Sequence, residues 1–510
     1  MSSPFRLQLT KTLRGMATPQ ATHYENWSKE DLIARILQLE GEKEPPRVAS
    51  TSMDLPRNSI NKPWRTFRFS SYPRRKIALK ICYSGWAYNG LAIQMDATPL
   101  PTVEGMLFDA LAKARLVDPD AGMEGCGWER CGRTDRGVSA GGQVVSLWVR
   151  SALENVTTHH SPVVNSSPED PITEATDWDA FPNLDDGDFG SLDDMDIPAR
   201  PKVFGKSEHS YTLILNRILP PTIRILAWSP VAPEFSSRFA CLSRHYKYFF
   251  DPNGLDVSLM SDAASILVGL HDFRNFCKID PSKQLTQYRR RILRADISPV
   301  PGSTSNMYVL DLIGSAFLYH MVRHIMAVLF LVGAGLEPPG VVRALLNVEV
   351  GAEGDPSLPV IDTRPEYQMA DALPLMLYAC HYTPGDVEWQ TEDEVTDGLA
   401  GLYHQLQTLL ARSQMYSTLN SVFLDAAAVH HSAPTSQFPL TVTGFVPDGK
   451  TPMNVPLGGA EFHRTAKFVP LLQRTRGEHF EVANERWRTG KGARRDERRR
   501  TVEDSIESNP

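Results

Sequence analysis

Between Arg150 and Arg200 the chain carries twelve acidic residues and no lysine or arginine. The same stretch is rich in Pro, Ser and Asp and has no apolar periodicity. Such a segment cannot bury enough apolar surface to offset the entropy of ordering it. Residues 151–205 therefore read as a disordered insertion, and the folded body must be built from the blocks on either side. The stretch also distorts the charge. The 510 residues hold 60 acids and 53 Lys plus Arg, for a net charge of -7. Setting the twelve acids aside leaves 48 against 53, so the rest of the chain is about +5 by the same count. A mildly basic body permits a nucleic-acid partner.

A chain of this length is expected to bury a large core and to hold more than one domain. No apolar run reaches the length of a membrane span. The longest, residues 321–335, is too short and includes Arg323 and His324. No membrane partner is predicted. The six cysteines are scattered, and Cys126 and Cys131 lack the two-residue gap of a zinc knuckle. They read as reduced, mostly buried thiols of an intracellular protein, with no metal site.

Residues 1–23 contain Arg6, Lys11 and Arg14, and no acid precedes Glu25. This is weakly like an organellar leader, but no amphipathic face forms, so a disordered tail is the reading. A short helix follows over 28–41, opened by Ser28 and acids in its first turn. Residues 42–65 read as a Pro-, Ser- and Asn-rich linker. The body starts near Trp64. Residues 76–83 alternate as a strand, Thr102-Val103-Glu104-Gly105 opens a helix, and residues 144–149 form a second strand. Order resumes at Tyr211, and 223–228 is a further strand. Residues 244–250 form a strand with Tyr246 and Tyr248 on one face. A helix is expected over 261–270 and a strand over 308–313. A long apolar helix runs from Phe317 to about Gly333 with Arg323 inside it, which is costly unless that arginine is paired or snorkels out. Residues 383–510 offer one helix, 394–412, then looser sequence. The basic run 491–500 is a solvated tail or a nuclear-import patch. The blocks are thus 1–65, 66–150, 151–205, 206–382 and 383–510.

The chemistry-bearing segment is Gly132-Arg133-Thr134-Asp135-Arg136-Gly137, one carboxylate between two arginines in a glycine-bounded loop. The glycines permit backbone angles that other residues resist. The arginines favour the ionised form of Asp135, as a nucleophile needs. A surface Asp-Arg pair in a turn is the plainer reading of the hexapeptide alone.

Three stretches together carry a resemblance. The segment 132–140 resembles the catalytic motif of the TruA family of tRNA pseudouridine synthases. Arg244-His245-Tyr246-Lys247-Tyr248 is similar to that family's Arg-x-Tyr-x-Tyr strand. Phe317-Leu318-Tyr319-His320-Met321-Val322-Arg323 resembles its arginine-bearing helix. Tyr88-Asn89-Gly90-Leu91-Ala92, Thr102-Val103-Glu104-Gly105, His271-Asp272-Phe273-Arg274-Asn275 and Tyr367-Gln368-Met369-Ala370 are similar to the eukaryotic branch that acts on tRNA positions 38 and 39. The bacterial motif continues Ala-Gly-Val-His-Ala after its aspartate, whereas this chain has Arg-Gly-Val-Ser-Ala, as in the eukaryotic branch. The resemblance covers roughly 70–150 and 206–380.

It implies an α/β fold in which two related halves form a continuous, mainly antiparallel sheet flanked by helices, with a central cleft. It implies Asp135, Tyr246 and Arg323 as catalytic residues, with Arg323 pairing Asp135 and Tyr246 stacking on a flipped base. It places Arg133, Thr134, Arg136 and Tyr248 at the substrate, Arg133 in the space the flipped nucleotide leaves. It implies tRNA as partner, a homodimer, no cofactor and no metal, in nucleus and cytoplasm with a mitochondrial pool. Open alternatives are the same chemistry at other tRNA uridines, or a tRNA-binding chaperone without catalysis. A metal-dependent hydrolase has little support: the paired histidines at 159–160 fall in the insertion and those at 430–431 lack acidic neighbours at ligand spacing.

Overall fold

The computed structural model describes residues 67–94, 97–153, 207–302, 306–391, 401–432 and 453–494. The expected N-terminal helix, the linker, the acidic insertion and most of the basic run fall outside the described residues.

Alternating apolar residues build the sheet. In β1 (Arg74–Tyr83) Ile77, Leu79, Ile81 and Tyr83 point to one face and are buried. β1 pairs antiparallel with β3 (Ser139–Arg150) on one side and with β4 (Ile223–Pro230) on the other. The short β2 (Glu129–Arg130) lies against β3. β3 is buried along almost its whole length, because it sits in mid-sheet with both faces covered. A second group follows: β5 (Ser243–Phe250), β6 (Gly269–Asp272), β7 (Arg289–Pro299), β8 (Tyr308–Gly314) and β9 (Leu375–His381). The order across the nine-stranded sheet is β4-β1-β3-β9-β5-β8-β7-β6, with β2 beside β3. All pairings are antiparallel except one. β3 meets β9 in parallel through only two residue pairs, Ser139 with Met376 and Ala140 with Leu377. That short seam joins the two strand groups. The mixed α/β architecture with a continuous, mainly antiparallel sheet is as the sequence implied.

Helices cover the sheet. α1 (Val103–Lys113) starts where read: Thr102 accepts a hydrogen bond from the Gly105 amide and buries Val103, Leu107 and Leu111. α2 is the short Gly122–Gly125 turn, and α3 (Tyr211–Ile218) packs on β4. The helix expected at 261–270 is α4, Val257–Ser265. Asp256 caps it by accepting from the Leu259 amide, and the chain then turns into β6 at Gly269. The apolar helix is α5, Met321–Gly333, buried nearly all round. It begins four residues later than expected, because His320 takes a left-handed conformation (φ 61°) and cannot be its first turn. α6 is Val341–Leu346.

The C-terminal part departs most from expectation. Part of the helix placed at 394–412 lies outside the described residues; the rest falls in α7, Leu402–Ala428, which extends further and has no buried residue. Beyond it, β10 (Met453–Gly458) and β11 (Glu461–Thr465) form a hairpin. Met453, Val455, Leu471 and Phe480 join the main core, the last from α8 (Phe480–Trp487). Among the described residues, 453–494 thus contribute to the core, while α7 does not.

Candidate functional site

The loop joining β2 to β3 holds Asp135, and it is fastened from several sides. The Cys131 amide donates to Val144 O (2.8 Å), and Gln143 Nε2 donates to Gly132 O (2.7 Å). Leu91 N donates to Thr134 O (3.2 Å), and the Thr134 and Tyr83 hydroxyls share a 2.7 Å hydrogen bond. Val138 N donates back to Asp135 O (3.1 Å), closing the turn. Gly137 turns with φ 85°, a conformation that side chains resist. Gly132 shows no such angle, so only one of the two bounding glycines is needed for its backbone freedom. Gly85 packs so tightly that a Cβ there would lie 2.2 Å from the Val138 carbonyl. The Gly85–Ala87 turn thus braces the loop directly.

Arg244 locks this loop to the second strand group. Its guanidinium donates to Cys131 O (3.0 Å), Arg238 O (3.0 Å) and Ser315 O (2.8 Å). Two strands of separate halves and the approach to α5 are therefore held by one rigid cation. The arginine of the Arg-x-Tyr-x-Tyr pattern is a positioning residue, a role the sequence did not reveal.

Asp135 is partly buried, its side chain 29% exposed. Its polar neighbour is His320, with Nε2 3.3 Å from Asp135 Oδ2. Among the described contacts Asp135 does not pair with Arg323, as had been expected. Arg323 Nε donates to Ala370 O (2.7 Å), and Ala370 N donates to Arg323 O (3.2 Å). That bond satisfies a half-buried cation through a carbonyl. Arg133 and Arg136 flank Asp135 in sequence but are exposed to solvent, where phosphates can reach them.

Tyr246 sits on β5, 8% exposed, with its ring edge-on to Phe317 at 4.8 Å. Burial pushes its phenol well above the ordinary range, and nearby thiols and the Asp135 charge add to the shift. It is therefore a neutral phenol in this state, a hydrogen-bond donor on an apolar ring. Two residues placed at the substrate are structural. Tyr248 is fully buried, and its hydroxyl donates to Asp371 O (3.0 Å) and Leu457 O (3.4 Å). Period-two alternation puts it on the same face as Tyr246, but hairpin β10–β11 covers it. Thr134 is 6% exposed and spends its hydroxyl on Tyr83. It shapes the loop without facing the solvent.

The other motif segments are pins. Glu104, 1% exposed, accepts from Trp128 Nε1 (2.8 Å) and the Ile93 amide (3.1 Å) and pairs with Arg130 (2.7 Å). Burial raises its carboxyl, against the pull of Arg130. Asn275 donates to Leu345 O and Ile361 O, and Tyr367 donates to Asn275 O.

Three features escaped the sequence. His320 is one; a left-handed residue before a helix has no local signature. The second is an exposed aromatic beside it: Tyr319, 39% exposed, with Lys278 and Lys283 within 5.7 Å and 5.2 Å of its ring. The third is a trio of thiols, Cys131, Cys241 and Cys380, whose sulfurs lie within 4.8 Å of one another. They come from distant points of the chain, which spacing cannot disclose.

With this geometry in view, the comparisons are specific. A model of the tRNA pseudouridine synthase family matches residues 263–383. The tRNA pseudouridine(38/39) synthase of Saccharomyces cerevisiae is 35% identical over 477 residues, covering 91% of this chain and 91% of that protein. The tRNA pseudouridine(38/39) synthase of Homo sapiens is 38% identical over 383 residues, 72% of this chain and 69% of its own. The tRNA pseudouridine synthase A of Methanosarcina mazei is 30% identical over 281 residues, 55% of this chain and 78% of its own.

Proposed function

This chain belongs to the tRNA pseudouridine synthase family, and from that premise we propose that it isomerises uridine to pseudouridine at positions 38 and 39 of tRNA. The specific positions follow from relatives named for them. The single observation that carries the reading is the placement of Asp135. A partly buried carboxylate sits on a loop braced from several sides, beside Tyr246 and His320, where the two strand groups meet.

The reaction breaks the bond from uracil N1 to the ribose, turns the base and joins its C5 to the same carbon. The C5 proton leaves and N1 gains one, so the atoms balance without a cofactor. Asp135 supplies the negative charge that attacks, or stabilises, the electron-poor intermediate. The Tyr246 ring offers a surface for the extracted base and a neutral hydroxyl to donate. Arg133 and Arg136 face the stem, and the Arg133 plane can fill the space the nucleotide leaves. Arg323 holds the 367–372 segment against α5 through Ala370.

The assembly reading is a homodimer on one tRNA. What supports it is α7, which exposes Tyr403, Met415, Tyr416, Leu419, Phe423 and Leu424 and carries only Arg412 and Asp425 as formal charges. A helix so apolar and so bare is poorly suited to water alone. A second copy is the partner that every molecule of this chain has at hand. A nuclear and cytoplasmic location, with a mitochondrial pool, rests on the basic run 491–500 and the acid-poor residues 1–23.

The test is turnover on unmodified tRNA carrying uridine at 38, at 39 or at both, with the product mapped by position. Product at those sites that vanishes in Asp135→Asn, with tRNA still bound, is the expected result. Binding without product in the wild-type protein would leave a tRNA chaperone, and product elsewhere would leave the chemistry and remove the position.

A further inference from the structure

Cys131, Cys241 and Cys380 meet in a small apolar cluster separate from the main core, with Ala78, Val144 and Phe235 around them. Ala78 and Val144 alternate along β1 and β3 with the main-core residues Ile77, Leu79 and Val145, and Cys380 packs against both clusters, so the trio borders the main core. None of the three is in a disulfide. We propose that this trio is a zinc-binding site, taking Zn2+ through three thiolates with water in the fourth position.

Four observations carry the assignment. The first is distance. Zinc–sulfur bonds of about 2.3 Å set three ligand sulfurs about 3.8–4.0 Å apart. The sulfurs here, all within 4.8 Å, need only a small contraction. The second is burial. Cys131 is 2% and Cys241 9% exposed, so soft ligands are gathered where hard, hydrated ions are disfavoured. Cys380 is half-buried, which leaves an approach for the water.

The third is charge. Three thiolates beside a divalent ion leave one net negative charge. The Arg244 guanidinium, bonded to Cys131 O at 3.0 Å, balances it. A monovalent copper ion would leave two negative charges against one positive. The fourth is place. Cys131 opens the Asp135 loop, Cys241 leads into β5, and Cys380 lies on β9, which makes the two-pair seam with β3. An ion bonded to all three would tie together the three segments that set the site. Binding forms three zinc–sulfur bonds and releases three thiol protons; no electron moves, and no step of the isomerisation passes through the ion.

The experiment measures metal on the full chain, expressed with zinc and purified in reductant without chelator. The expected result is about one zinc per chain, falling to below about a tenth in Cys241→Ser and Cys380→Ser. Cys126→Ser and Cys277→Ser, buried elsewhere, should keep it. Wild-type protein that stays at background after incubation with zinc overturns the site, as do trio variants that retain the metal. Should the trio variants fail to fold, cobalt loaded on the wild-type protein decides. Intense thiolate-to-cobalt charge transfer supports the site and its absence overturns it. Loading by copper alone overturns the choice of zinc.

Discussion

His320 Nε2 stands 3.3 Å from Asp135 Oδ2, while its own Nδ1 is buried with no partner. The residue sits in a left-handed turn that a histidine adopts reluctantly, and its ring rests on Tyr319 at 3.8 Å. A strained backbone and an orphaned nitrogen are together costly, and the contact they secure is with the Asp135 carboxylate. His320 therefore aims Asp135. His320→Asn, which tolerates the left-handed turn, should lower kcat about 10- to 100-fold, as for misplacing a reacting group. Its tRNA affinity should stay within about threefold. Single-turnover kinetics with a filter-binding measurement check this; equal loss in both would make His320 a binding residue.

Tyr246 and Tyr248 should separate cleanly although they share a strand face. Tyr248→Phe leaves the Asp371 and Leu457 carbonyls without their donor, so it should lose about 1–2 kcal/mol of stability. Its turnover at a temperature where it is folded should match wild type. Tyr246→Ala should lose turnover through the missing ring beside Asp135, and stability as well through the cavity left in the core. Melting curves and initial rates on the same preparations distinguish them. A Tyr248→Phe protein that is stable and inactive would restore it to the substrate.

Acid should weaken the fold through His324. Burial, with help from Arg364, His320 and Arg323, holds this imidazole neutral and lowers it to about 2. In the unfolded chain it binds a proton near 6.5. Below that pH the unfolded state holds one more proton than the folded one, so stability rises with pH up to about 6.5 and falls as pH drops. The slope from this group is at most about 1.4 kcal/mol per pH unit. His324→Gln keeps an acceptor for Arg364 Nη1 and removes the titration. Urea unfolding should be flatter for the variant by close to one proton near pH 5, falling to about half a proton at pH 6.5; an unchanged slope would place the proton elsewhere.

What could be read from the sequence was what is written locally. Strands β1, β3 and β5 show in their alternation, and α1 shows in its Thr102 cap and apolar stripe. The site residue Asp135 shows in its loop. Residues whose meaning depends on distant partners did not. The thiol trio is assembled by the sheet, and Arg244 acts through carbonyls of three other segments. Arg323 lies on the expected apolar helix, yet its side chain turns to Ala370 and not to Asp135, a choice of rotamer that spacing does not encode. α7 buries no face, so it offers no stripe to find, and Pro456 disguises β10 as a loop.

The exposed arginines should divide by what they do on RNA. Arg289 and Arg291 open β7 near the sheet's edge, exposed, and Arg133 and Arg136 flank Asp135. Contacts to phosphate release counterions, so affinity should fall steeply as salt rises. Removing one phosphate contact, as in Arg289→Ala, should reduce the slope of log affinity against log salt by roughly one unit. Turnover at saturating tRNA should be unchanged, because the reacting atoms lie elsewhere. Arg133 stands beside the carboxylate, where the nucleotide must leave the stem. Arg133→Ala should cost turnover much more than affinity, with only a small change in salt slope. Since the body then grips backbone and not bases, a small shift of the stem would bring either of two adjacent uridines to Asp135. Binding isotherms over a salt series, paired with product maps on tRNAs with uridine moved along the stem, measure both quantities at once. Product that follows particular flanking bases to new positions would show that the chain reads sequence directly, and Arg133 would then be a reader and not a wedge.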